Sequence, residues 1–379
     1  MSKPYHIVFT TIFNPENILQ ALFENISRYQ HLGEVKVWVV GDKKTPATVS
    51  GLAQKFSAAG LETKYFDVEE QDSWGKNMEF YGRVPYNNHT RRNFGILKAL
   101  EDGCKILISI DDDNFPTADD FIGFHSNVGK PYDGMLIAEA AGFHNVCENL
   151  EFVPKRAIYP RGFPLSLRDS ANKPELRPAG GQNFRIGVIE GLWLEDPDID
   201  AITWLNGTVK GKAFTGQDMQ VLDRGTWAPI NSQNTSIARE LLPAFLMLPM
   251  AWPVPGGKID RYDDIWGGYF LQAVMEGSPY RMAFGRPIVE HRRNPHNYAD
   301  DLRYEFWGII LTDWLLQRLH SQFHSGKSDI AERMLDLAEF VKQSAEDLPA
   351  WRPQEMKDFM LRTSGSMRLW VEACRKIGI

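Results

Sequence analysis

In its N-terminal third the chain alternates short β-rich runs with stretches of helical spacing, and few folds are compatible with that rhythm. Residues 5–11 (YHIVFTT), 35–40 (VKVWVV), 63–68 and 105–110 (KILISI) read as strands, and residues 15–27, 46–59 and 91–101 as helices between them. Pro15 suits a helix start. This order predicts an α/β fold with a mainly parallel sheet, helices on both faces and right-handed crossovers. Ligands of such sheets gather at the carboxyl ends of the strands. Thr10, Asp42 and the run Asp111-Asp112-Asp113 all fall there, which makes them candidates for holding a nucleotide.

The three aspartates follow an apolar strand directly, so like charges are concentrated where a buried segment meets the surface. They repel one another unless solvated or coordinated. Hard ions such as Mg²⁺ or Mn²⁺ take one or two carboxylates together with substrate phosphate oxygens. Asp113 suits direct coordination. Asp111 suits the ribose or base side as well as the metal, and Asp112 would ligate or orient its neighbours. The plainer reading of the same acids is an acidic turn or a helix cap. His291 could supply a further metal ligand from the far end of the sheet, or be a hydrogen-bonded structural histidine.

The 379 residues, with net charge -7 and 43% hydrophobic content, fit one large domain or two closely joined ones. Mild acidity argues against broad nucleic-acid binding, which rests on Lys and Arg neutralising phosphates. Cys104, Cys147 and Cys374 lack disulfide or zinc spacing, so a reducing, cytoplasmic compartment is expected. No run reaches the ~18 apolar residues of a membrane span, and no secretory signal pattern is evident. Residues 142–257, rich in Pro, Gly and Trp, read as sheet edge and functional loops. Residues 302–323, 330–346 and 353–376 have helical spacing. The expected division is a catalytic domain over residues 1–299 and a helical region over 300–379 packed on it.

Four blocks, residues 92–115, 161–168 (RGFPLSLR), 191–203 (GLWLEDPDIDAIT) and 261–268 (RYDDIWGG), occur in an order that resembles the reversibly glycosylated polypeptides, a family that includes the UDP-arabinopyranose mutases. The resemblance implies a GT-A fold, UDP-sugar binding, a divalent metal at the aspartates and an arginine that is reversibly glycosylated. Arg161 holds that motif position, and Asn234 fits the family's sugar side. The segment between Arg168 and Gly191 is longer than the family leads one to expect.

Other residues carry readings of their own. Asp263 and Asp264 open a helix, where one could act as general base or both could simply stabilise the first turn. Arg161 and Arg168 could clamp diphosphate oxygens, with Arg161 secondarily a covalent acceptor; surface ion pairs are the alternative. Arg92, at a helix start, suits phosphate or sugar contacts, or a solvated helix end. Trp193 with Asp196, Asp198 and Asp200 could hold a sugar ring, or be core and loop acids. His296 is a further candidate beside the diphosphate. These residues point to a metal-dependent glycosyltransferase with a UDP- or GDP-sugar donor and a carbohydrate or other small acceptor. The alternatives are a pyranose-furanose mutase with reversible self-glycosylation, and a nucleotide-sugar-binding protein without turnover. Homo-oligomerisation is left open.

Overall fold

The computed structural model describes residues 3–168 and 174–378; residues 169–173, which begin the long segment after Arg168, lie outside it. Strands β1 (Tyr5–Thr10), β2 (Val35–Val40), β3 (Glu62–Phe66) and β4 (Ile106–Ile110) are parallel and lie in the order β3-β2-β1-β4. Helices α1 (Glu16–Arg28), α2 (Val49–Ala58), α3 (Val68–Gly75) and α4 (Arg92–Glu101) fill the crossovers. The third strand is shorter than its apolar run suggests because Asp67 accepts the Glu70 N–H and starts α3 at Val68. α4 lies close against the sheet, since a Cβ at Gly95 would fall 2.5 Å from both Val8 and Val40.

Beyond β4 the sheet becomes mixed. Strand Asn234–Ala238 runs antiparallel to β4, Phe184–Glu195 antiparallel to it, and Tyr280–His291 parallel to Phe184–Glu195. The middle of the chain, expected as edge and loops, therefore supplies two central strands. Phe184–Glu195 is buried without interruption from Ile186 to Trp193, so it shows no polar alternation from which a strand could be read.

The helix Asp263–Met275 is buried along its whole length. It lies between the sheet and the C-terminal helices Tyr298–Gln322, Ile330–Glu346 and Gln354–Lys376. Trp266 donates to Thr312 Oγ1 at 2.9 Å, and Trp370 donates to the Leu242 carbonyl at 3.1 Å, so these two indole N–H groups join the layers. Among the described residues no helix is long and apolar enough to cross a membrane.

The closeness of the buried helix is testable. A Cβ at Gly267 would lie 2.2 Å from the Leu246 carbonyl oxygen, a backbone atom that cannot swing aside. Gly267→Ala should cost roughly 1–3 kcal/mol in urea unfolding; an unchanged midpoint would show that the helix is less tightly seated.

Candidate functional site

Each aspartate after β4 meets a different partner. Asp111 pairs with Arg92, whose Nη1 also donates to Ser109 Oγ at 3.0 Å and to the Ser232 carbonyl at 2.9 Å. Asp112 accepts the Thr11 hydroxyl at 2.5 Å; burial, opposed by that hydrogen bond, raises its carboxyl to about 6. Asp113 faces His291, with Oδ2 3.5 Å from Nε2. Sheet register creates this pair, because His291 lies opposite Asn114 on one side and Glu195 on the other. His291 Nδ1 is 2.7 Å from the Asp196 carbonyl and must donate to it, which leaves Nε2 as the nitrogen facing Asp113; burial disfavours the imidazolium, but Asp113 outweighs burial and raises it.

A carboxylate oxygen and an imidazole nitrogen form a donor set that suits Mn²⁺. No three His, Cys, Asp or Glu side chains converge on one point among the described residues. Asp113 and His291 therefore fit an ion as a two-ligand site completed by phosphate and water, while Asp111 is turned toward Arg92.

Two cavities adjoin at this strand end. A groove of about 270 Å³ lies against Thr10, Ile12, Phe13, Asp42, Asn88 and Asp112. A pit of about 140 Å³ is walled by Asp111, Asp113, Asp198, Asp263 and Asp264 and by Arg92, Arg161, Arg261 and Arg293, with His291 and His296 also at its wall. His89 lines both.

Arg161 is almost wholly buried and every N–H it carries has an acceptor. Nε and Nη2 donate to Asp198 at 2.9 and 3.1 Å, Nη1 and Nη2 to Asp264 at 3.3 Å each, and Nη1 also to the Arg261 carbonyl. Burial disfavours its charge, but Asp198 and Asp264 outweigh burial and hold it as a cation. Asp264 is correspondingly lowered: burial would raise it, and Arg161 overrides burial. Ser232 N–H adds a hydrogen bond at 3.2 Å.

Asp263, the preceding residue, differs. One oxygen takes the His89 Nε2–H at 2.7 Å, and Oδ2 is buried with no partner. Burial raises its carboxyl, with Asp264 adding to the effect and His89 opposing it. Asp263 is one of the residues that wall the pit, and a buried carboxylate oxygen without a partner is costly to keep ionised.

Five residues singled out in the sequence, Arg168, Trp193, Asp196, Asp200 and Asn234, line neither cavity. Arg168 pairs with Asp200, whose other oxygen caps helix Ala201–Leu205 through Thr203 N–H at 2.8 Å. Trp193 is fully buried in the core. Asn234 bridges the Gly191 carbonyl at 2.9 Å and His125 at 3.1 Å. His296 reaches the pit, held 3.0 Å from Asp301. His89, Arg261 and Arg293 wall the pit although the sequence did not single them out, and Ser232 joins them from the polar loop 231–235 that also carries Asn234. Arg261 lies in the very motif that flagged Asp263, and His89 two residues before the Arg91-Arg92 pair, so proximity to those motifs was the available signal.

The parallel β3-β2-β1-β4 half, the mixed half and the strand-end cavities make an α/β fold whose ligand site lies at the carboxyl ends of its parallel strands. The chain belongs to the reversibly glycosylated polypeptide family, whose profile matches residues 67–378. UDP-arabinopyranose mutase 1 of Oryza sativa subsp. japonica is 24% identical over 294 residues, covering 76% of this chain and 72% of the relative. UDP-arabinopyranose mutase 2 of Arabidopsis thaliana is 24% identical over 294 residues, covering 76% and 73%. Among solved structures, glucosyl-3-phosphoglycerate synthase from Mycobacterium tuberculosis with Mn²⁺, UDP and glucosyl-3-phosphoglycerate overlays with TM-score 0.37 at 14% identity, over 84% of this chain and 80% of that one. Likeness that loose bears no weight on the site.

Arg161→Met should destabilise the protein by roughly 3–5 kcal/mol, because Asp198 and Asp264 would be left buried without a counter-charge. The pH dependence carries a sign. Asp264 is depressed in the folded state, so its contribution is present above its unfolded value of about 4 and lost as pH falls through the folded one. The gap between wild type and Arg161→Met in chemical denaturation should thus narrow toward low pH; a constant gap would assign the loss to packing alone.

Proposed function

We propose that the protein is a divalent-metal-dependent enzyme that acts on a nucleotide sugar, UDP-linked by preference, and breaks the bond between the anomeric carbon and the diphosphate. The observation that carries this is the joining of groove and pit at one strand end. A nucleoside in the groove and a sugar in the pit leave the diphosphate between them. Five carboxylates face four guanidiniums in the pit, so a diphosphate gains little there without an added cation. Asp113 and His291 are the residues to hold Mn²⁺ or Mg²⁺. Such an ion, when bound, neutralises charge that develops on the departing diphosphate.

The chain's own residues have separable tasks. Arg92 orients Asp111 at the pit floor, and Arg161 fixes Asp198 and Asp264 as walls of the sugar site. Asp263 Oδ2, unpartnered and with a raised carboxyl, accepts a proton from a hydroxyl as it becomes a nucleophile. Arg161 has no N–H to spare and no tendency to deprotonate, which favours transfer of the glycosyl group to a separate small acceptor. A second reading, return of the sugar to the same diphosphate as a ring isomer, is supported by the activity named for the relatives. Three buried free cysteines suit a reducing cytoplasm.

Calorimetry with UDP should show binding that depends on Mn²⁺ and is lost in Asp113→Ala; equal affinity in chelator would overturn the metal's role. Incubation with UDP-sugars then separates the readings by chromatography. Free UDP appearing only with an acceptor supports transfer, whereas a UDP-sugar isomer of unchanged mass supports the mutase. Under either reading Asp263→Asn should remain folded and lose roughly 10²–10⁴ in turnover at saturating UDP-sugar; a fully active variant would remove Asp263 as the base.

A further inference from the structure

We propose that His89 binds the substrate diphosphate as a cation at the junction of the groove and the pit, with Asp263 as its buried counter-ion. This rests on the nucleotide-sugar reading and extends it to a residue outside the family-like motifs.

His89 is the residue that both cavities share. The turn that carries it is pinned to the end of β2: Asn88 N–H donates to Asp42 Oδ2 at 3.0 Å, and Asn88 Oδ1 accepts from Thr90 N–H at 2.9 Å. The ring is therefore fixed relative to the strand ends. Nε2 is committed to Asp263, which is 1% exposed. Nδ1 has no hydrogen-bond partner among the described residues, and the side chain is 43% exposed. A purely structural histidine needs no open nitrogen between two cavities. A carboxylate behind an imidazole fixes its orientation and favours the doubly protonated form, which presents an N–H and a positive charge to whatever lies in front.

The surrounding charges support the cationic state. Burial opposes it, but Asp263, together with Asp260 and Asp264, outweighs burial and raises the imidazolium to about 9. Asp42 and Asp112 line the groove, and the pit sets Arg92, Arg161, Arg261 and Arg293 against Asp111, Asp113 and Asp198 besides Asp263 and Asp264. The guanidinium of Arg161 is already spent on Asp198 and Asp264. His89 is thus a cation with a free donor where a diphosphate must pass.

The test is calorimetry of UDP and of uridine in Mg²⁺ from pH 7.5 to 9.5, a range in which the diphosphate stays ionised and the uracil N3–H, which titrates near its upper end, is common to both ligands. Wild-type affinity for UDP, taken relative to that for uridine at each pH, should fall as pH rises through the imidazolium value. His89→Gln should weaken UDP at pH 7.5 by roughly 10- to 100-fold, as expected for losing a hydrogen bond from a charged donor, and should show no such fall with pH. His89→Arg should recover UDP binding without the pH dependence, and melting curves establish that both variants are folded. A folded His89→Gln that binds UDP like wild type, with the same pH slope, overturns the proposal while leaving the nucleotide-sugar reading intact. Absence of UDP binding in wild type overturns that reading and this one with it.

Discussion

The buried guanidinium of Arg161 between Asp198 and Asp264 is the constraint on which the site's shape depends. Removing a cation and two anions from water costs several kcal/mol per ion, and attraction repays this only when geometry is good and the remaining donors are filled. Here they are filled, and one acceptor is the Arg261 carbonyl. To supply it, Arg261 adopts φ 61°, a conformation that costs a residue with a side chain roughly 1–2 kcal/mol. Glu305 at 3.0 Å and Asp301 at 3.5 Å from the Arg261 guanidinium hold it there. Glu305 also accepts the Ala201 N–H at 2.8 Å, tying down the segment that carries Asp198. The helix Tyr298–Gln322 is consequently part of the site's support and more than a covering layer.

The sheet imposes the second condition. Parallel strands end together, and three of them deliver Thr10, Asp42 and Asp111–Asp113 to one edge. The mixed half brings the rest by register: placing His291 opposite Asn114 sets its ring beside Asp113, and a slip of one residue would turn it to the opposite face. Each chemical group is positioned by backbone hydrogen bonds before any side chain chooses a rotamer.

This explains which features were legible in the sequence. The parallel half was, because apolar strands and amphipathic helices have distinct periods. Phe184–Glu195 was not, because a strand buried on both faces has no period. The aspartate run, Arg161 and the Asp263-Asp264 pair announced chemistry through residue type and position at element ends, and they do line the two cavities. Arg168, Trp193, Asp200 and Asn234 looked equally chemical, yet their partners are caps, sheet carbonyls and core. What separates the two groups is the direction of a side chain, which depends on tertiary packing. His89 offered no more than its nearness to Arg92, since its partner Asp263 is distant in sequence and meets it only after the layers close.

The two adjacent acids on the buried helix show how far environment decides function. Asp263 and Asp264 share one helix N-terminus and its favourable dipole, and both are removed from water. Asp264 looks onto Arg161 and stays ionised despite its burial. Asp263 meets His89 with one oxygen while the other is buried without a partner, and burial raises it. Environments that push neighbouring carboxyls apart are how one site acquires both a fixed anion and a proton acceptor. The helix geometry itself makes the difference, because consecutive residues in a helix point about 100° apart, so one acid meets the Arg161 guanidinium and the other the His89 imidazole.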